Sequence, residues 1–184
     1  MPLIVRSSVS INKSLSASPL CVELEDASET EVSMLKALLE YQFGKGASCL
    51  LDGFVKVRRS PSTGRVREVY TDDLLVGTVR ASDGFFVPSF EGAEKLLRVL
   101  PYPRLRVVVP DDVAEFAAMG RTVFCKHVIN VDPEIRPGDE VFVVDTSGKL
   151  AALGKAVLGG LTIASKKTGK AVKVRKGVKK ANKQ

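Results

Sequence analysis

Chemistry needs nucleophiles, acid-base groups or metal ligands brought together, and this sequence offers few such combinations. The chain has three cysteines, Cys21, Cys49 and Cys125, and a single histidine, His127. No two of the cysteines form a C-x-x-C pair, so neither a structural zinc site nor a disulfide framework is expected. His127 stands in Val123-Phe124-Cys125-Lys126-His127-Val128, where an imidazole in principle activates a nearby thiol. A buried thiol with a surface imidazole is the plainer expectation. No catalytic residue, cofactor or metal is assigned.

The residues that stand out are cations. Lys and Arg number 28 against 21 Asp and Glu, a net charge of +7. Nine of them (Lys166, Lys167, Lys170, Lys173, Arg175, Lys176, Lys179, Lys180, Lys183) fall in the last nineteen residues with no acid among them, leaving a near-neutral body. A concentrated basic end favours a polyanionic partner, and nucleic acid over membrane, because no amphipathic anchor accompanies the charge. A solubilising tail is the bland alternative. A second run, Gly53 to Arg67, carries five Lys or Arg and no acid. Period-two alternation puts Lys56 with Arg58, and Arg65 with Arg67, on faces opposite their valines. This run is either a basic ridge that meets phosphate or an ordinary solvated sheet face.

The elements that must hold these cations can be read from periodicity. With 184 residues, 45% of them hydrophobic and 27% charged, the chain suits one large or two small globular domains. A complete eight-stranded α/β barrel, typically about 250 residues, does not fit. No stretch reaches the roughly 18 apolar residues of a membrane helix, and the first twenty residues lack a signal-peptide core, so a cytoplasmic protein is expected. Leu3 to Val5 and Leu20 to Leu24 are short apolar pieces in a Ser-rich opening. Ser28 followed by Glu31 predicts a capped helix with Val32, Leu35, Leu38 and Leu39 on its inner face, stopped at Gly44. Strands are predicted at Phe54 to Arg59, Arg65 onward, Leu74 to Arg80 and Phe85 to Val87, then a helix from Ser89 to Leu100. Pro101-Tyr102-Pro103 is the predicted domain boundary. Beyond it come a strand at Leu105 to Val109 and a helix from Asp111 to Met119 closed by Gly120. Short strands are predicted near Thr122 to Phe124, His127 to Val131, Glu140 to Asp145, Leu150 to Leu158 and Ala171 to Arg175, as in a small β-barrel.

Two stretches carry a resemblance to known families. Pro137-Gly138-Asp139-Glu140-Val141-Phe142-Val143-Val144-Asp145, the Ser147-Gly148-Lys149 turn, and Leu150-Ala151-Ala152-Leu153-Gly154-Lys155-Ala156 resemble the PUA domain, an RNA-binding pseudobarrel. The likeness runs from about Arg104 to Gly177 and includes the helix ending in Gly120-Arg121 and the last strand, Ala171 to Arg175. Upstream, Phe43-Gly44-Lys45-Gly46-Ala47, Thr63-Gly64-Arg65-Val66-Arg67, Gly77-Thr78-Val79-Arg80 and Asp83-Gly84-Phe85 resemble the small α+β domain preceding PUA in archaeal tRNA-guanine transglycosylases, the archaeosine family. The resemblance implies an α+β chain: residues 1–103 a small α+β domain, 104–178 a PUA pseudobarrel, and 179–184 a basic tail expected to be mobile.

In that family the C-terminal domains bind tRNA, while a separate barrel with zinc and aspartates exchanges the base. The resemblance therefore implies RNA binding without the chemistry. In PUA domains the glycine loop and final strand form one RNA-facing cleft, which implies that Gly120, Arg121, Lys173 and Arg175 converge, with Lys126 and Lys176 nearby. Lys45, Arg58, Arg65 and Arg67 are the upstream candidates for backbone contacts. A glycine closing a helix lets backbone N–H groups approach phosphate, and an adjacent arginine donates two hydrogen bonds. The implied partner is RNA, specifically tRNA, acting with a separately encoded transglycosylase or other tRNA-modification enzyme. The other open reading is a translation- or ribosome-associated factor that uses the barrel to dock on protein.

Overall fold

The computed structural model describes residues 24–181. The architecture is α+β, with one sheet and its helices in each half. The first half contains β1 (Glu25–Asp26), α1 (Glu29–Phe43), a 3-10 turn (Ala47–Leu51), β2 (Val55–Arg59), β3 (Val66–Thr71), β4 (Leu74–Val79), β5 (Phe86–Pro88) and α2 (Phe90–Val99). Its five strands pair antiparallel in sequence order. The second half contains β6 (Arg106–Val108), α3 (Asp111–Ala118), β7 (Val123–Phe124), a 3-10 turn (Cys125–His127), β8 (Asn130–Val131), β9 (Glu140–Val144), β10 (Leu150–Ala156), α4 (Gly160–Ser165), β11 (Lys170–Gly177) and α5 (Val178–Ala181). Its sheet runs β7-β11-β10-β9-β6-β8, with β6 and β9 parallel and the other pairs antiparallel.

Local chemistry explains why the helices begin where they do. Ser28 accepts from the Glu31 backbone while the Glu31 carboxylate accepts from Ser28, a complete capping box that satisfies two amide donors at the start of α1. Leu35, Leu39 and Phe43 are then buried, with Val32 and Leu38 packed at the margin of the core. At the start of α2, Ser89 caps by accepting from Gly92.

The core passes from one half into the other. Phe43 at the end of α1 meets Phe86 edge-on, with ring centroids 6.4 Å apart, and stacks on Phe142 of β9 at 6.2 Å. Arg106 is buried, and its guanidinium donates to the carbonyls of Leu97, Leu100 and Pro101. A cation at the last carbonyls of α2 meets the negative end of the helix dipole. Burial nonetheless pulls the pKa of Arg106 down.

Three details differ from the expectations. Cys125 to His127 forms a 3-10 turn ahead of the strand at Asn130, because the Val128 N–H closes back on the Cys125 carbonyl at 3.1 Å. The helix α4 was not foreseen. Val178–Ala181 is a helical turn where a mobile tail was expected. There Lys179 reaches Glu115 of α3 at 3.4 Å. The Leu3 to Val5 piece, most of Leu20 to Leu24, Cys21 and residues 182–184 lie outside the described residues.

Candidate nucleic-acid interface

The candidate surface is built where α3 ends beside the last strand. Gly120 adopts φ +86°, a left-handed conformation open to glycine. There its N–H bonds to the Ala117 carbonyl at 2.8 Å, and the Arg121 N–H returns to the Phe116 carbonyl at 3.1 Å. These two bonds close the helix and leave the Arg121 side chain exposed. The chain then enters β7, which pairs with β11 through Val172↔Val123 and Lys170↔Phe124. At the far end of β11, Gly177 lies against α3: a Cβ there would sit 2.2 Å from the Ala118 carbonyl oxygen. Strand β11 thus touches α3 directly and carries the Gly120 loop beside it.

Along β11, Val172 is buried and Val174 half-buried while Lys173 and Arg175 are exposed, the alternation expected of a strand with one core face. A register shift between Leu153 and Gly154 pairs them with Lys176 and Val174, so Arg175 occupies a bulge. Its guanidinium reaches the Glu140 carboxylate at 3.3 Å. Lys176 is half-buried, its ammonium 5.5 Å from the Phe90 ring centroid, and so is committed to α2 in a cation–π contact. Lys126 is exposed on its 3-10 turn, which is tied to the loop before β11 by the Cys125 N–H bond to Gly169. Arg121 and Lys126 therefore flank β7 at its two ends. Among the described residues Arg121, Lys126 and Lys173 take part in no ion pair, so their charges stand free for a ligand.

The upstream cations are placed differently. Arg58 pairs with Glu68 directly across β2 and β3. Burial opposes ionisation of Glu68, but the Tyr70 hydroxyl and Arg58 hold its pKa below the usual range. Arg59 pairs with Glu25 and Glu31, and Lys56 with Asp73. The run without acids is thus largely neutralised by carboxylates from neighbouring elements, which the run itself does not contain. Lys45 and Arg65 are exposed and Arg67 is half-buried. They belong to the first sheet and its loops, a separate sheet from the one that holds β7 and β11.

Other chemistry is sparse. Cys125 is buried and His127 half-buried, and burial pushes the half-buried Cys49 thiol up. Among the described residues no three His, Cys, Asp or Glu side chains gather as metal ligands, and no helix is long and apolar enough to cross a membrane. A cleft of about 670 Å³ opens between the halves, lined in part by Tyr41, Arg80, Arg104, Glu134, Arg136 and Glu140. None of the candidate RNA-contacting residues lines it. Arg80 and Arg104 there are paired with Glu140 and Glu134. Lys155 and Arg80, which were not singled out, stand beside the candidate surface. The signal for Lys155 was available, as the lone charge in Leu150 to Ala156.

Comparison with known proteins finds two family matches. Residues 33–103 match the patch-forming domain C2 of tRNA-guanine transglycosylase, and residues 105–178 match the PUA domain. The chain is 43% identical over 151 residues to the tRNA-guanine(15) transglycosylase of Methanobrevibacter smithii, covering 82% of this chain and 23% of that protein. It is 44% identical over 145 residues to that of Thermococcus kodakarensis, covering 78% and 25%. It therefore spans about a quarter of the length of the curated relatives it matches. In fold it is similar to a hypothetical protein from Pyrococcus horikoshii, with a TM-score of 0.69, 24% identity, and coverage of 84% of this chain and 94% of that one. A conserved PUA-domain protein from Thermoplasma acidophilum aligns with a TM-score of 0.60 and 19% identity over 84% and 93% of the two chains.

Proposed function

Because the chain belongs to the patch-forming C2 and PUA domain families and is homologous to archaeal tRNA-guanine(15) transglycosylases, we propose that it is an RNA-binding protein of the tRNA-modification machinery that takes the acceptor end of tRNA on its PUA half. The observation that carries this reading is the set of exposed, unpaired cations around the glycine-closed end of α3 and strand β11, namely Arg121, Lys126 and Lys173. With no side chain at Gly120 a phosphate has room to approach the turn, and the Arg121 guanidinium can grip it with two parallel hydrogen bonds. RNA ends with unstacked bases are read by such surfaces more readily than the deep groove of an A-form helix.

The role assigned to this chain is binding, and the chemistry is assigned to a partner, a separately encoded transglycosylase or another tRNA-modification enzyme. In this reading Arg121, Lys126, Lys173 and Arg175 grip the backbone, and Gly120 leaves it room to approach. Lys45, Arg65 and Arg67 add long-range attraction from the first sheet. Arg58 and Lys176 serve mainly the fold, through Glu68 and Phe90.

The test is an anisotropy titration of folded tRNA, with and without its 3′-terminal CCA, over a series of salt concentrations. Affinity is expected to persist near physiological salt and to fall when CCA is removed. Equal binding of both RNAs, with affinity collapsing steeply as salt rises, would reduce the interaction to non-specific attraction by the basic end and overturn the acceptor-end reading.

A further inference from the structure

Strands β9, β10 and β11 lie side by side, and their registers place Lys155 opposite Glu140 on one side and opposite Lys173 on the other. Residues directly opposite in neighbouring strands share a face. Glu140, Lys155 and Lys173 therefore form one row across three strands. Glu140 is buried, and its two carboxylate oxygens are taken by two arginines: Arg80, which follows β4 in the first half, and Arg175 of β11. Arg80 also holds Asp83 at 2.7 Å. Lys155 and Lys173 are both exposed, and among the described residues neither is ion-paired.

Two lysines set directly opposite one another destabilise a sheet, and strand β10 is otherwise without charge. Among the described residues the face then holds Arg80, Lys155, Lys173 and Arg175 against Glu140 and Asp83. Among the described residues no further carboxylate pairs with these cations. Each arginine keeps N–H donors beyond those that Glu140 uses.

We infer that the phosphate backbone of a bound RNA crosses from β11 onto β10 and reaches Arg80 of the first half, so that Lys155 joins the surfaces of the two halves into one track. Glu140 is the positioning residue, fixing Arg80 and Arg175 from beneath. This rests on the RNA-binding reading above, and it adds contacts outside the α3–β11 edge.

The experiment is an anisotropy titration of folded tRNA against the full chain over a salt series, with Lys155→Ala, Lys155→Arg, Lys149→Ala and Arg121→Ala compared. Lys155 is exposed and unpaired, so its replacement leaves the core intact. Lys149 is an exposed lysine in the turn at the opposite end of β10 and serves as the off-track control. Lys155→Ala is expected to weaken binding about three- to tenfold and to lower the salt slope by about one, as for loss of one phosphate contact. Lys155→Arg is expected to bind as the wild type, and so is Lys149→Ala. If Lys155→Ala binds like the wild type while Arg121→Ala is weakened, the track is overturned and the acceptor-end reading stands. If neither variant weakens a binding that collapses with salt, both fall together.

Discussion

Glu31 shows how one carboxylate serves both a helix and a sheet. Its side chain accepts from the Ser28 N–H at 3.0 Å and receives Arg59 at 2.7 Å. The hydrogen bond from Arg59 and then that from the Ser28 backbone lower its pKa to about 2. A folded-state pKa below the unfolded one means stability that is present above the unfolded value near 4.5 and lost as pH falls toward about 2. Glu31→Gln is therefore expected to lower stability at neutral pH by about 1 kcal/mol, the size of a cap with a partly exposed ion pair. Urea unfolding followed from pH 7 down to pH 2 checks it: the two proteins should converge in stability at the acid end. A constant gap across that range would show that the carboxylate charge plays no part. The same contact shows what the basic run from Gly53 to Arg67 cannot display by itself: the partners of Arg59, Glu25 and Glu31, precede it by more than two dozen residues. Read from the residues alone, Arg121 is equally open, a surface cation beside a helix-closing glycine, and it is the PUA resemblance that implies its role.

Strand β11 and helix α3 depend on a glycine for their separation. Gly177 faces the carbonyls of Ala118 and Ala117, with an added Cβ 2.2 Å and 2.7 Å from their oxygens, and backbone cannot yield as a flexible side chain does. Gly177→Ala is expected to push the end of α3 off β11, lowering stability by about 1–3 kcal/mol as overpacking does, and to weaken tRNA binding although no charge is removed. Thermal unfolding and the salt-series titration test both limbs. Unchanged RNA affinity in a destabilised variant would separate the glycine loop from the binding surface. Elements with strong local signals were legible: the capping box of α1, the inner stripe of α2, and the glycine stop of α3. The helix α4, six residues opening on Gly159-Gly160, was not, because Gly160 is chosen for contact: a Cβ there would lie 2.0 Å from the Asp132 carbonyl oxygen. The bulge at Arg175 was equally silent, since it arises from pairing with β10 and not from the strand's own sequence. The alternation that placed Lys173 and Arg175 outward still held around it.

Two halves joined by a short proline-containing link would ordinarily move against each other unless a large apolar contact held them. Here Phe43 supplies that contact, its ring shared between Phe86 of the first sheet and Phe142 of the second, all three essentially inaccessible to solvent. Arg106 adds a polar clamp, reaching from β6 back to three carbonyls around the end of α2. This stitching was hidden in the sequence, where Pro101-Tyr102-Pro103 marks a break and nothing marks Phe43 as a residue of both cores. It matters for function because Arg80 and Arg175 meet on one carboxylate only while the halves keep their relative placement. The wild-type chain is expected to unfold in one transition, with equal calorimetric and van't Hoff enthalpies. Phe43→Ala should remove about 3–5 kcal/mol, the usual consequence of emptying a buried aromatic site. The loss falls on the first half and on the coupling, so calorimetry of the variant should resolve two transitions, the lower belonging to residues before Pro101. A single transition merely shifted to lower temperature would mean that Arg106 and Glu140 hold the halves together without the ring. The variant's RNA affinity, measured below its first transition, would then tell whether the shared core or the polar contacts keep the cations of both halves in one frame.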